Sequence, residues 1–224
     1  TLLAVADPGP GSPRSLPGSV ELGASLAVQA HAMGPLRVRM SRGAAWGSAL
    51  AIPCPELVEG PASAEGLLRE LVEVDVAVML CHGEVEGPEN ARLLLVDRTG
   101  AVAPLTLQRL AEDPHLVAGI TFVLLSCETG RVGSWLHRAS GLAGALLAGG
   151  ARNVIAPLWP VLLEPAWTVG REVLEVLARQ GDLSEALLRL RAPEQGPALG
   201  GRVSASDRQA EQSWSLRAFT RWVG

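Results

Sequence analysis

The sequence predicts an α/β fold, a mostly parallel sheet sandwiched between helices. Short apolar runs alternate along the chain with longer segments of helical periodicity, which is the order typical of parallel sheets covered by helices. Residues 74–81 and 120–126 are almost continuously apolar, as strands buried on both faces of such a sheet are. The 224 residues, 48% of them hydrophobic, suffice for a packed core, and we expect one domain spanning residues 1–224.

The first part of the chain contains three strand patterns and two helix patterns. Apolar or alternating runs predict strands at residues 2–6, 36–40 and 74–81. The intervening periodic segments predict helices at residues 20–33 and 63–72. This alternation favours parallel strands joined by helical crossovers.

A β-hairpin is predicted in the middle of the chain. Residues 91–96 and 101–105 have strand composition and flank Asp97-Arg98-Thr99-Gly100, a run of turn-forming residues. Residues 107–112 then predict a short helix.

The second part of the chain repeats the alternation. Strands are predicted at residues 120–126, 153–158 and 213–224, and helices at 135–148, 165–180 and 183–190. Gly149-Gly150 is a good stop for the helix at 135–148. Residues 192–213 are polar and rich in glycine, and we expect them to form a loop.

Two chemically reactive side chains follow the two most apolar strands. His82 comes directly after residues 74–81, and Cys127 comes directly after residues 120–126. In open parallel sheets, functional groups collect at the carboxyl ends of the strands. If the two strands are neighbours, His82 and Cys127 therefore lie side by side at one edge of the sheet.

A cysteine paired with a histidine forms a nucleophile at neutral pH. A free thiol titrates near pH 8.5 and is mostly protonated, so a histidine that takes its proton activates it. The same histidine later returns a proton to the leaving amine. The backbone N–H groups of Gly83 and Cys127 are candidates to bind the oxyanion of a tetrahedral intermediate.

The pattern alone also allows a structural interpretation of both residues. A cysteine after an apolar strand is often a small buried hydrophobe, and a histidine at a strand end often makes only structural hydrogen bonds. The other cysteines fit that interpretation: Cys81 lies within an apolar strand, and Cys54 lies between two prolines. The remaining histidines, on predicted helices or in a loop, are weaker candidates for catalysis: His31, His115 and His137.

Four stretches of the sequence carry a family resemblance. They are Val78-Met79-Leu80-Cys81-His82-Gly83, Leu124-Leu125-Ser126-Cys127-Glu128-Thr129-Gly130, the run from Leu146 to Val161 with Gly149-Gly150-Ala151-Arg152-Asn153-Val154-Ile155-Ala156-Pro157-Leu158-Trp159-Pro160, and the ending Trp214-Ser215-Leu216-Arg217-Ala218-Phe219. In order and spacing they resemble the CHAT domain, a caspase- and separase-related group of cysteine peptidases often attached to tetratricopeptide repeats.

The resemblance implies a caspase-like fold and hydrolysis of peptide bonds by a Cys/His dyad. It implies that His82 is the general base and Cys127 the nucleophile, with the oxyanion bound by the amides of Gly83 and Cys127. It implies no metal and no cofactor.

The sequence departs from the family's pattern after Trp159-Pro160-Val161. Relatives usually carry acidic residues next, where this chain has Leu162 and Leu163. In separase-like relatives an acidic side chain of this region meets a basic P1 residue, so a preference for Arg or Lys does not carry over. The candidates to substitute for it are Asp7, Asp75 and Glu164, although a solvated loop carboxylate is the favoured interpretation of each one taken singly. Trp159 either walls the substrate cleft or anchors the core.

Charge and cysteine usage limit the partners that we expect. The net charge is −4 and no basic patch stands out, so we expect no binding of nucleic acid or of a membrane. Three cysteines without paired spacing favour a reducing cytoplasm over a disulfide framework. The chain starts at Thr1 directly on a strand pattern, and we expect it to be part of a longer protein with a regulatory sensor domain or subunit.

Two other functions compete with cleavage of a protein or peptide substrate. A catalytically silent interaction module would keep the fold without turnover; the apolar residues 161–163 favour it mildly, and the presence of both dyad residues disfavours it. A nucleotide-binding protein would need a phosphate loop after the first strand, where Pro10 and Pro13 instead remove N–H donors. A Gly-x-Ser-x-Gly elbow is absent, which disfavours a serine hydrolase.

Overall fold

The computed structural model describes most of the chain from the first strand to the last. The described residues are 2–6, 38–41, 56–58, 64–72, 74–86, 90–95, 101–127, 129, 133–135, 138–179, 181–191 and 219–223. The predicted helix at 20–33 and the predicted loop at 192–213 lie outside them. Within them no helix is long and apolar enough to cross a membrane.

A seven-stranded sheet forms the centre of the fold. Its strands are β1 (Leu2–Ala6), β2 (Val38–Ser41), β3 (Glu56–Val58), β4 (Val76–Leu80), β8 (Thr121–Leu124), β11 (Asn153–Pro157) and β12 (Phe219–Val223), in the order β12-β11-β8-β4-β1-β2-β3. Six strands are parallel, and β12 pairs antiparallel with β11 at one edge. The mostly parallel sheet predicted from the apolar runs is therefore confirmed.

Helices cover both faces of the sheet. They are α1 (Ala64–Glu70), α2 (Leu107–Glu112), α3 (Leu142–Ala148), α4 (Leu163–Ala178) and α5 (Leu183–Arg191), with a short 3-10 helix at Pro114–Val117. Neighbouring side chains of β4 enter different cores: Ala77 and Met79 pack with α1 and α3, whereas Val78 and Leu80 pack with α4 and α5. This alternation follows from the two-residue repeat of a strand and explains why β4 had to be apolar throughout.

The predicted hairpin forms part of a second, antiparallel sheet. Its strands are β5 (His82–Val85), β6 (Ala91–Leu94) and β7 (Leu105–Thr106), in the order β5-β6-β7. The pairing of β6 with β7 confirms the hairpin. β5 was not predicted as a strand; it follows β4 after Cys81 alone, so His82 begins one sheet where the other ends.

One predicted element is wrong. Residues 135–148 were expected to form a single helix, but β9 (Gly133–Trp135) and β10 (Arg138–Ser140) pair antiparallel, and only α3 is helical. Gly141, directly before α3, has a φ of 106°, a conformation that a right-handed helix does not contain. The helix therefore cannot extend back through Gly141 to Trp135.

Arg221 links the edge strand β12 to its neighbours by side-chain hydrogen bonds. Its guanidinium donates to the Oδ1 atom of Asn153 on β11 at 2.8 and 3.0 Å, and to Oδ1 of Asp182 at 2.6 Å and Oγ of Ser184 at 2.8 Å. Asn153 in turn donates to the hydroxyl of Thr121 on β8 at 3.2 Å. These bonds lie at the amino end of β11, the end opposite to the candidate site.

Candidate active site

The strands that lead to His82 and Cys127 are direct neighbours. β4 and β8 pair in parallel, with Val76 opposite Thr121 and Met79 opposite Leu124, a constant offset of 45 residues. The N–H of Leu125 donates to the carbonyl of Met79 at 2.8 Å, so the pairing continues past the last assigned residue of β8. The register brings the carboxyl ends of both strands to the same edge of the sheet.

The next pair of residues keeps that offset with side-chain contacts. Cys81 Sγ lies 3.4 Å from Ser126 Oγ, and the same hydroxyl lies 3.4 Å from the carbonyl oxygen of Met79. Both side chains are almost fully buried. Cys81 is thus a buried neighbour of Ser126 beneath the edge of the sheet, in agreement with its interpretation as a structural residue.

Gly83 lies close against the residue that carries the candidate nucleophile. A Cβ atom on residue 83 would lie 2.4 Å from the carbonyl oxygen of Cys127 and 2.8 Å from Cγ2 of Thr129. No real Cβ atom approaches a backbone oxygen so closely, so position 83 requires glycine at this backbone separation. His82 lies between Cys81, which contacts Ser126, and Gly83, which contacts Cys127. His82 and Cys127 themselves are half-buried.

A tight turn follows β8 and bears Cys127. The N–H of Thr129 donates to the carbonyl of Ser126 at 3.5 Å, and the Thr129 hydroxyl donates to the same carbonyl at 2.8 Å. Thr129 is 0% exposed. A threonine that bonds to the backbone three residues earlier stabilises such turns, so the conformation around Cys127 is fixed by its own sequence neighbourhood.

The Cys127 thiol faces the segment that follows β11. Its Sγ donates a hydrogen bond to the carbonyl oxygen of Val161 at 3.7 Å. A carbonyl accepts such a bond only from the protonated thiol, so transfer of the proton to another base breaks it. The carbonyl of Val161, the last residue before the departure from the family pattern at Leu162 and Leu163, therefore lies against the candidate nucleophile.

The side chains of this segment differ in exposure. Trp159, Val161 and Leu163 pack against the core beneath α4 and α5, whereas Leu162 is 48% exposed. Glu164 is exposed in the first turn of α4. Trp159 thus contacts the core, as one of its two predicted roles requires, and Leu162 is an exposed apolar side chain directly after Val161.

The structure does not bring together all the residues expected to bind substrate. Asp75 precedes β4, and its carbonyl accepts a hydrogen bond from the N–H of Thr121 at the start of β8. The five residues of β4 separate it from the edge that bears His82, roughly 16 Å along the strand. Asp75 therefore lies at the opposite end of the sheet. Asp7 lies outside the described residues, although β1, which ends at Ala6, pairs with Leu80 at the end of β4.

The described residues contain no group of three His, Cys, Asp or Glu side chains that could hold a metal ion. The chemistry available at this edge of the sheet is that of a thiol, an imidazole and backbone N–H groups. A thiol with a neighbouring histidine suits nucleophilic attack on a carbonyl carbon, and N–H groups beside it suit binding of the resulting oxyanion.

Two residues at the site were not singled out from the sequence. Val161 meets the thiol through its backbone carbonyl, which leaves no signal in the identity of the side chain. Thr129 left a signal that could have been used: it lies three residues after Ser126, a spacing at which a threonine hydroxyl commonly bonds back to a backbone carbonyl.

Comparison with known proteins agrees with this architecture. The family model described as "CHAT domain" matches residues 30–195, more than half of the chain. No curated protein sequence matches the chain significantly.

Two solved structures are similar in fold. The complex of the pro- and mature domains of RgpB of Porphyromonas gingivalis superposes with a TM-score of 0.53 and 10% sequence identity, over 99% of this chain and 46% of that one. The Arg-specific cysteine proteinase gingipain R has a TM-score of 0.52, also with 10% identity, over 99% and 45%. The fold is therefore that of the caspase-like cysteine proteinases, and the chain spans less than half the length of either match.

Proposed function

Because the chain belongs to the CHAT domain family and has a caspase-like fold, we propose that it is a cysteine endopeptidase with Cys127 as nucleophile and His82 as general base. The observation that carries the proposal is the approach of Gly83 to Cys127, at 2.4 Å from a Cβ position to the carbonyl oxygen. This contact supports adjacent positions for the two dyad residues.

The proposed reaction proceeds in two steps. His82 takes the thiol proton, and the sulfur attacks the carbonyl carbon of the scissile peptide bond, whose π electrons move to the oxygen. The N–H groups of Gly83 and Cys127 bind this oxyanion. The intermediate collapses to a thioester as His82 gives its proton to the leaving amine. Water, deprotonated by His82, then hydrolyses the thioester and releases the thiol.

We expect the substrate to bind as an extended strand along residues 159–163. The support is the hydrogen bond from the Cys127 thiol to the carbonyl of Val161, which puts this segment within reach of a peptide at the sulfur. Extended peptides commonly add to sheet edges through main-chain hydrogen bonds. The substrate would be a specific protein partner, and an attached sensor domain or subunit would switch the activity on.

The first experiment measures alkylation of Cys127 by iodoacetamide across pH in the wild type and in His82→Ala. At pH 6.5 a free thiol is only about 1% ionised, so we expect labelling at least about 10-fold faster in the wild type than in His82→Ala. Cys127→Ala identifies the background from Cys54 and Cys81. Equal, slow rates in the two proteins would exclude an activated dyad in this chain.

A catalytically silent interaction module is the second candidate. The observation that favours it is the same thiol-to-carbonyl bond, since it holds the proton that catalysis must remove, beside an exposed leucine at position 162. Such a module would label slowly regardless of residue 82, and it would bind a partner without cleaving it. The alkylation experiment therefore separates the two candidates directly.

A further inference from the structure

Thr129 contacts both strand ends that form the candidate site. Its hydroxyl donates to the carbonyl oxygen of Ser126 at 2.8 Å, and its Cγ2 methyl lies 2.8 Å from where a Cβ on Gly83 would be. The side chain is fully buried. A single residue thus touches the turn that bears Cys127 and the glycine that follows His82.

The hydrogen bond from Thr129 acts on the peptide group that supplies a proposed oxyanion donor. The carbonyl of Ser126 and the N–H of Cys127 belong to one planar trans peptide, so they point in opposite directions. Holding the carbonyl oxygen on one side therefore fixes the direction of the N–H on the other. A bond accepted by the carbonyl also polarises the amide and strengthens its N–H as a donor.

We propose that Thr129 is a positioning residue that aims the Cys127 N–H at the oxyanion, an inference that rests on the proposed peptidase function. Its hydroxyl holds the Ser126–Cys127 peptide, and its methyl fills the space that the absent side chain of Gly83 leaves. Thr129 does not touch the reacting atoms, so its loss changes the stabilisation of the oxyanion and leaves the thiol itself reactive.

Two small reagents separate these effects without knowledge of the natural substrate. In the reaction with 4-nitrophenyl acetate, the sulfur attacks the carbonyl carbon, an oxyanion forms, and its collapse expels 4-nitrophenolate and leaves a thioester. In the reaction with iodoacetamide, the sulfur displaces iodide from a saturated carbon and no oxyanion forms. The ratio of the acylation rate to the alkylation rate of Cys127 therefore reports on oxyanion binding alone.

The test compares this ratio in the wild type, Thr129→Val and Thr121→Val, after subtraction of the rates of Cys127→Ala. Valine keeps the shape and removes the hydroxyl. We expect the ratio to fall about 10-fold or more in Thr129→Val, with alkylation unchanged, because a misaimed donor loses much of its roughly 10²- to 10³-fold effect. Thr121 is the matched control: it is also a buried threonine, its hydroxyl accepts from Asn153, and it lies at the amino end of β8, away from the candidate site. Thr121→Val should leave the ratio unchanged.

Two further variants keep the test decisive if Thr129→Val does not fold, as judged by circular dichroism. Thr129→Ser retains the hydroxyl, so its ratio should stay within about 3-fold of the wild-type ratio. Thr129→Ala lacks the hydroxyl, so its ratio should fall as in Thr129→Val. Two outcomes overturn this inference alone. One is an equal fall of the ratio in Thr129→Ser and Thr129→Ala. The other is an unchanged ratio in Thr129→Val while alkylation still depends on His82. Alkylation that does not depend on His82 in the wild type overturns the proposed function and this inference with it.

Discussion

A Cβ atom on Gly83 would lie 2.4 Å from the carbonyl oxygen of Cys127, so the backbone after His82 and the backbone at the nucleophile touch. An alanine Cβ atom at position 83 would clash with this backbone oxygen, and no change of side-chain rotamer could relieve the clash. We therefore expect Gly83→Ala to push the two strand ends apart. The free energy of unfolding should fall by about 1–3 kcal/mol, and cleavage of a peptide substrate should fall by about 100-fold or more.

Gly119→Ala is the control for that substitution. Gly119 has a φ of 76° and nothing within 4 Å of its Cβ position, so alanine there costs backbone strain of about 1 kcal/mol without a clash. Urea unfolding and peptide cleavage measured on both variants should show comparable losses of stability but a loss of activity in Gly83→Ala alone. Equal activities would show that the close contact is irrelevant to catalysis.

The two neighbouring cysteines should respond differently to alanine. Cys127→Ala removes the nucleophile and should lower kcat/KM by at least about 10³-fold with little change in stability, since the side chain is half-buried at the end of a strand. Cys81→Ala should keep activity within about 3-fold and lose about 1 kcal/mol of stability with the buried contact to Ser126. Steady-state kinetics with thermal unfolding checks both, and an inactive but folded Cys81→Ala would reverse the assignment.

The exposed leucine beside the nucleophile offers a test of substrate preference. The carbonyl of Val161 lies 3.7 Å from Cys127 Sγ, and the next Cα, that of Leu162, lies within about 4 Å of that oxygen by covalent geometry. A carboxylate here should attract a basic substrate side chain, so Leu162→Asp should raise the ratio of cleavage after Arg or Lys to cleavage after Leu by roughly 2- to 10-fold.

A positional peptide library read by mass spectrometry measures this ratio. Leu188→Asp is the matched control, because Leu188 is also an exposed leucine, on α5. The effect at position 162 should shrink at high salt, as exposed charge interactions do. A ratio that rises equally in both variants would trace the effect to the net charge of the protein and not to the segment at the thiol.

Asp182 makes part of the stability depend on pH. The backbone N–H of Ser184, which donates to Oδ1 at 2.9 Å, holds the pKa of the Asp182 carboxyl below its ordinary value, with further help from the Ser184 hydroxyl and Arg221. A folded-state pKa below the unfolded one means that the carboxylate contributes stability above the unfolded pKa, about 3.9, and loses it as the pH falls through the folded value.

Asp182→Ala should therefore lower the urea midpoint at pH 7, and the difference from the wild type should shrink as the pH falls below about 4. Asp182→Asn should lose less stability than Asp182→Ala, because an amide oxygen still accepts a hydrogen bond from the N–H of Ser184. Equilibrium unfolding at several pH values checks both variants. A deficit in Asp182→Ala that is the same at pH 7 and pH 3 would rule out the charged carboxylate as its source.

Several features of the fold followed from local patterns. β4 and β8 are buried on both faces, and unbroken apolar runs reveal such strands because no polar face is needed. The turn-forming residues between β6 and β7 predicted the hairpin. The helix predicted over residues 135–148 failed because its apolar periodicity continues through Gly141, and the positive φ of that glycine is set by the surrounding chain. Asp75 is close in sequence to His82 but lies at the other end of β4, because an extended strand carries residues at its two ends to opposite edges of the sheet.

The amino-acid sequence was enough to predict the family of this protein, the parallel sheet between helices, and His82 and Cys127 as its candidate reactive pair, because apolar runs and the residues at their ends are local signals. Which atoms meet is visible only in the folded chain: Gly83 lies against the carbonyl of Cys127, Thr129 against both strand ends, and the Val161 carbonyl at the thiol. Each of these contacts includes a backbone carbonyl, which every residue possesses. The approach of Gly83 to Cys127 also depends on the register between strands far apart in the chain. The partners of Gly83 and of the Cys127 thiol are therefore set by packing and strand pairing, which no run of neighbouring residues encodes.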